Sequence, residues 1–183
     1  YQLASQFQLS FSPVHISRMA INFAPPTIKI RLPIMLSRRE IIPTLNHEIG
    51  THILRQINYQ QQPWYKKKKK YGLHNHLKTE EGLANLHSLL TEPFELAAKA
   101  ALNYTATAYA LRHSFQQTFQ FINSYLQNPE RSFIWTFKKK RGLTDTSRPG
   151  TFSKDMLYFS GFIDVLRYLR KNHYDPALLY FGK

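Results

Sequence analysis

The sequence predicts a mainly α protein of the α+β class, with a small β element near the N-terminus. Two observations carry this. Stretches with helical periodicity or high alanine content, flanked by capping and proline signals, recur from Ser37 to Lys171. Strict apolar–polar alternation is confined to Ile28-Lys29-Ile30-Arg31-Leu32, directly after Pro25-Pro26.

Taken in order, Tyr1 to Phe11 alternates loosely, and residues 28–32 read as a half-exposed strand. Ser37 with Glu40 three residues later is a capping-box signal, so a helix starts there and runs through His47 to about Gln56. Pro43 falls early enough in it to be tolerated. Asn58 to Leu77 is a loop holding Pro63, Trp64 and five consecutive lysines. Thr79 can cap a second helix from Glu80 to about Leu90. Pro93 fits the first turn of a third, Phe94 to about His113, and Phe115 to Leu126 is a fourth, ended by Asn128-Pro129. Residues 131–137 suit either a short strand or a helix, and Lys138 to Ser153 reads as a basic loop. Lys154 to Lys171 is the last helix, with Leu157, Gly161, Val165 and Leu166 as its expected buried face.

The 183 residues carry no internal repeat or linker and read as one domain over 1–183. Beginning at Tyr1 without a signal-like segment, the chain reads as a fragment or processed form. No apolar run is long enough to cross a bilayer. Cysteine is absent, which excludes disulfides, Cys-ligated zinc and thiol nucleophiles. Lys plus Arg number 25 against 11 Asp plus Glu, a net +14, so the expected partner is polyanionic.

The chemistry concentrates in Asn46-His47-Glu48-Ile49-Gly50-Thr51-His52. Zinc-binding helices usually space their histidines four apart. Here the spacing is five, which on a regular α-helix turns the two rings about 140° apart. A π-type turn would bring His52 back over His47, and Gly50 is where distortion costs least. A third ligand can come from the adjacent Glu80 and Glu81, on the next predicted helix. The product is two histidines, one carboxylate and an open position, the catalytic zinc pattern. Adjacent carboxylates point about 100° apart, so one ligates and the other can orient a histidine.

His47-Glu48-Ile49-Gly50-Thr51-His52, Gln62-Pro63-Trp64, Tyr71-Gly72-Leu73 and Thr79-Glu80-Glu81-Gly82-Leu83-Ala84 resemble the tyrosine-carboxypeptidase family, microtubule-associated enzymes with bacterial relatives. Arg141-Gly142-Leu143-Thr144-Asp145-Thr146-Ser147, Pro149-Gly150, Phe152, Lys154-Asp155, Tyr158 and Gly161 continue the likeness. The resemblance implies a zincin-like metallopeptidase core, an active-site helix beside a glutamate helix. It implies Zn2+ on His47, His52 and Glu81, with Glu80 behind them and Glu48 as general base. It also implies removal of a C-terminal tyrosine from the acidic tail of tubulin, in a cytoplasmic, microtubule-associated setting.

An exopeptidase must also hold the substrate's free carboxylate. Arg141, Arg148 and Lys154 are the candidates, and Tyr158 is the candidate oxyanion donor. Lys66, Lys67, Lys68, Lys69 and Lys70 form a candidate anion-binding strip for an acidic tail or RNA. The competing reading is a structural subunit of a ribonucleoprotein, such as a mitochondrial ribosome, or of an axoneme, retaining the fold without needing turnover.

Overall fold

In the computed structural model, the segment containing the alternating Ile28–Arg31 stretch forms the middle strand of a three-stranded sheet. The structure describes residues 6–15, 17–34, 36–73, 76–91 and 93–181, the side chains of 93–96 excepted. Strands β1 (Gln8–Ser12), β2 (Met19–Phe23) and β3 (Pro26–Arg31) lie in the order β1-β3-β2. β1 runs parallel to β3, with Leu9 opposite Ile28. β2 runs antiparallel to it, with Ile21 opposite Ile28.

Among the described residues, every regular element after the sheet is helical. Helix α1 spans Arg38–His47, and the Ser37 N–H donates to Glu40 Oε2 at 3.0 Å, as the capping signal predicts. A π-helical turn, Glu48–Ile53, continues directly into α2, Leu54–Gln60. Then follow α3 (His76–Leu89), α4 (Pro93–Ala110), α5 (Phe115–Leu126), α6 (Pro129–Lys140) and α7 (Met156–Lys171).

Several expectations need correction. α3 begins at His76, so Thr79 is interior and caps nothing. Residues 131–137 belong to a helix because Asn128 Oδ1 accepts from the Arg131 N–H and Pro129 opens the first turn. That helix carries Lys138 to Lys140 with it, out of the expected loop. On α7 the buried residues are Gly161, Val165 and Leu169, whereas Leu166 is 37% exposed.

The packing that positions the site is α3 against α7. Leu83, Val165, Leu169 and Leu179 form a buried cluster between these helices and the C-terminal 3-10 turn Ala177–Tyr180. The helices cross at two glycines. A Cβ on Gly82 would stand 2.2 Å from the Gly161 carbonyl carbon, and one on Gly161 would stand 2.1 Å from the Lys78 oxygen. Real Cβ atoms do not approach backbone this closely, so the crossing admits only glycine. It sets α7 next to Glu81.

Candidate active site

The π-helical turn resolves the five-residue histidine spacing. A turn with i→i+5 bonding places residue i+5 above residue i. The His47 and His52 rings accordingly stack edge to face, with centroids 5.1 Å apart. Gly50 has no left-handed backbone, and a methyl there would meet only the His87 ring, at 3.4 Å. The turn therefore does not depend on glycine's conformational freedom.

Glu81 reaches this pair from α3. Its Oε2 is 3.7 Å from His47 Nε2 and 3.7 Å from His52 Nε2. These separations exceed a hydrogen bond but suit donors sharing one ion at about 2 Å each. One ligand atom from each of His47, His52 and Glu81 lies within 4.8 Å of the others.

The supporting contacts fix which atoms face the centre. His52 Nδ1–H donates to Glu80 Oε1 at 2.8 Å, which leaves the Nε2 lone pair for a metal. Glu80 Oε2 is in turn 3.6 Å from Arg55 Nη1, and both side chains are buried. His47 Nδ1 lies 3.4 Å from Ser88 Oγ, and Ser88 donates to backbone carbonyls of Pro43 and Ala84.

Electrostatics separate the two histidines. Burial, then the neighbouring His52, pulls His47 down to about 3, so its ring is neutral at physiological pH. Burial also acts to lower His52. The Glu80 hydrogen bond and the charges of Glu81, Glu80 and Glu48 outweigh it and raise His52 above the ordinary value. Glu48 is half-buried; burial and the Glu81 charge, opposed by His52, raise its carboxyl to about 7. A carboxyl poised there can exchange a proton near neutrality.

Residues from α7 and the segment before it close the other side. Lys154 Nζ is 3.9 Å from Glu81 Oε1. Burial pushes the Tyr158 hydroxyl up, and the charges of Glu81, Asp155 and Glu48 push it further, so it stays protonated and able to donate. Arg141 stacks 3.9 Å over Phe152, with Nη2 3.4 Å from Asp155 Oδ1. Asp155 Oδ2 also pairs with the buried Lys139 Nζ at 2.6 Å.

Arg148 is not brought to the site: its side chain is 81% exposed and pairs with Asp145 at 3.1 Å. Lys66 to Lys70 occupy a turn-rich loop packed on aromatic rings. Lys66 lies over Tyr65, Lys68 over Tyr59 and Lys70 over Tyr71. Lys68 is half-buried, so the strip is not uniformly solvated.

Sequence reasoning missed Arg55, Ser88, Asp155 and Lys139. Helical spacing could have found two of them. Arg55 follows His52 by three residues, and Ser88 follows Glu81 by seven, the same face two turns on.

Fold and donor set together define a helical α+β domain built around a two-histidine, one-glutamate candidate metal centre. The family model for the microtubule-associated tyrosine carboxypeptidase matches residues 4–183, and the chain belongs to that family. It is 43% identical over 180 residues to human microtubule-associated tyrosine carboxypeptidase 1, covering 96% of this chain and 37% of that protein. The rat protein of the same name is 44% identical over 165 residues, covering 88% of this chain and 35% of the relative. The chain thus spans about a third of the length of these curated relatives.

Proposed function

We propose that this chain forms, as one domain, the catalytic core of a zinc-dependent carboxypeptidase that removes a C-terminal residue, tyrosine by analogy with its relatives, from an acidic protein tail such as that of tubulin. The observation that carries the reading is Glu81 Oε2 standing 3.7 Å from both His47 Nε2 and His52 Nε2. Three such donors, two neutral nitrogens and a carboxylate, fit zinc with a position left for water or substrate. When bound by His47, His52 and Glu81, zinc supplies Lewis acidity to a carbonyl oxygen and to a water.

The protein's own groups do the rest. Glu48 takes a proton at its carboxylate and returns it to the leaving amine. Tyr158, held protonated, donates to the developing oxyanion. Lys154 and Arg141 supply positive charge for the substrate's terminal carboxylate; Phe152 and Asp155 hold the Arg141 plane in place. Glu80 keeps His52 in the correct tautomer.

Among the described residues no helix is long and apolar enough to cross a membrane. The relatives' name supports a microtubule as partner and a cytoplasmic, microtubule-associated location. The ribonucleoprotein or mitochondrial alternative rests on sequence features such as the net charge and the lysine run, and the relatives' names lend it no support. The test is metal content by elemental analysis beside mass-spectrometric cleavage of tyrosine-ended acidic peptides. One zinc per chain, lost in His52→Ala, with release of the last residue only, is the expected result. Absence of zinc, or cleavage that persists in Glu48→Gln, would overturn it.

A further inference from the structure

A second feature stands beside this centre. The first turns of α1 form one wall of an open groove of about 520 Å³. Its apolar lining includes Pro43, Leu102 and Trp135, and its rim carries Arg39 from α1, Lys99 from α4 and Arg131 from α6. Among the described residues, the only carboxylate lining it, Glu40, is engaged by Arg18 at 2.8 Å and by the Ser37 N–H. Among the described residues, no carboxylate forms an ion pair with Arg39, Lys99 or Arg131.

From this we infer that the groove is a docking site for an acidic peptide segment: carboxylates meet Arg39, Lys99 and Arg131 while an apolar side chain lies on the floor of Pro43, Leu102 and Trp135. The cations come from three helices and ring the opening. That spread suits several carboxylates along a chain better than one compact phosphate. Crowding supports the need for a counter-anion. Burial and then surrounding charge lower Lys99 below the usual lysine range, with Arg18, Arg131 and Lys138 acting against the opposing Glu40. Burial followed by Arg31, Arg18 and Arg141 does the same to Lys138.

Lys138 lies within electrostatic reach of both Lys99 at the rim and Arg141. The floor residue Pro43 is tied to the metal side, since Ser88 Oγ donates to its carbonyl and lies 3.4 Å from His47 Nδ1. Seven residues separate Glu40 from His47 on α1, a rise of about 10 Å. An extended peptide covers that distance in about three residues. Resting on the reading of the chain as a carboxypeptidase, the groove then takes residues a few positions upstream of the scissile bond. Substrate selection becomes a matter of tail charge as well as of the last residue.

The experiment uses synthetic peptides sharing one tyrosine-ended C-terminal segment. One is extended upstream by glutamates and a phenylalanine, one by glutamines and the phenylalanine, and one not at all. Fluorescence anisotropy on Glu48→Gln protein reads binding without turnover, and kinetics on the otherwise wild-type chain read KM and kcat. Binding of the glutamate peptide is expected to weaken about tenfold on the combined Arg39→Glu, Lys99→Glu, Arg131→Glu change, two- to threefold per charge. KM for that peptide rises towards the unextended value while kcat holds. Replacing the peptide's phenylalanine by serine weakens binding further. Circular dichroism checks that the exposed reversals leave the fold intact. Equal affinity for the glutamate and glutamine peptides, or binding indifferent to the reversals, would overturn the inference. Rim-dependent binding without any cleavage would uphold the groove and defeat the peptidase reading.

Discussion

Replacing Glu48 by glutamine is expected to stop turnover and, in metal-free protein, to raise stability at alkaline pH. The second effect follows from the raised carboxyl, at about 7 against an ordinary 4.5. A folded-state pKa above the unfolded one means that the folded chain holds its proton longer. The neutral carboxyl is no burden below about pH 4.5. As pH rises through about 7, the buried carboxylate must ionise beside Glu81, and stability is lost. A shift of about two and a half units at about 1.36 kcal/mol each gives a penalty of at most about 3 kcal/mol. Glutamine never ionises and escapes it. Urea unfolding of chelator-treated wild type and Glu48→Gln, at about pH 5 and about pH 8.5, measures the gap. The Glu48 charge also helps raise His52, so the same pair is compared in a His52→Gln background, where that coupling is gone. The gap is expected to open by about 2–3 kcal/mol in favour of the variant at the higher pH, and to shrink when zinc is restored, because a cation compensates the carboxylate. A gap that stays constant across pH would refute the assignment of Glu48 to a desolvated site beside Glu81.

Other perturbations test other contacts. Gly161→Ala drives a methyl into the Lys78 carbonyl and must separate α7 from α3. About 3 kcal/mol of stability is expected to go, with loss of metal affinity, read by denaturation and zinc titration. Glu80→Gln weakens the orientation of His52 and is expected to lower zinc affinity about 10–100-fold in a chelator competition assay. Lys140→Met removes a buried ammonium that donates among the carbonyls of Ala110, His113, Arg148 and Gly150. A loss of at least about 2 kcal/mol in urea, with raised hydrogen exchange over 141–150, is expected. The Arg18 hydrogen bond outweighs burial and holds Glu40 down to about 2, so its contribution is present above about pH 4.5 and disappears as pH falls towards 2. The pair is a third exposed and worth under about 1 kcal/mol, and Arg18→Ala is expected to flatten that acid limb.

The centre was legible in the sequence because its geometry is local. A histidine spacing of five can share one ion only through a distorted turn, so the π segment at Glu48–Ile53 follows from counting residues. The adjacent Glu80 and Glu81 likewise had to split, since neighbours on a helix diverge; one faces both Nε2 atoms and the other holds His52 Nδ1. What was not legible comes from across the fold. Asp155 gains its meaning only when α6 delivers Lys139 and Arg141 to it. The start of α3 at His76 has no capping signature at Thr79 because the helix is set by burial of a whole turn, Glu80 to Ala84, against neighbours.

Charge shows the same division. Composition counts lysines without saying where they point. By sequence Lys138 to Arg141 open a basic loop, yet Lys139 and Lys140 are each 1% exposed. Lys139 serves Asn103 and Asp155, and Lys140 staples the following loop by its carbonyls. A helix turns residues i+1 and i+2 to different faces, so a run of four cations cannot all face water once one side is packed. The outward cations that meet an acidic partner at the groove instead come from separate helices: Arg39, Lys99 and Arg131. None of them lies in a lysine run. An acidic ligand of this chain is therefore expected to respond to single substitutions far apart in sequence and close in space. Neutralising Lys66 to Lys70 as a block, by contrast, leaves the groove's three rim cations in place.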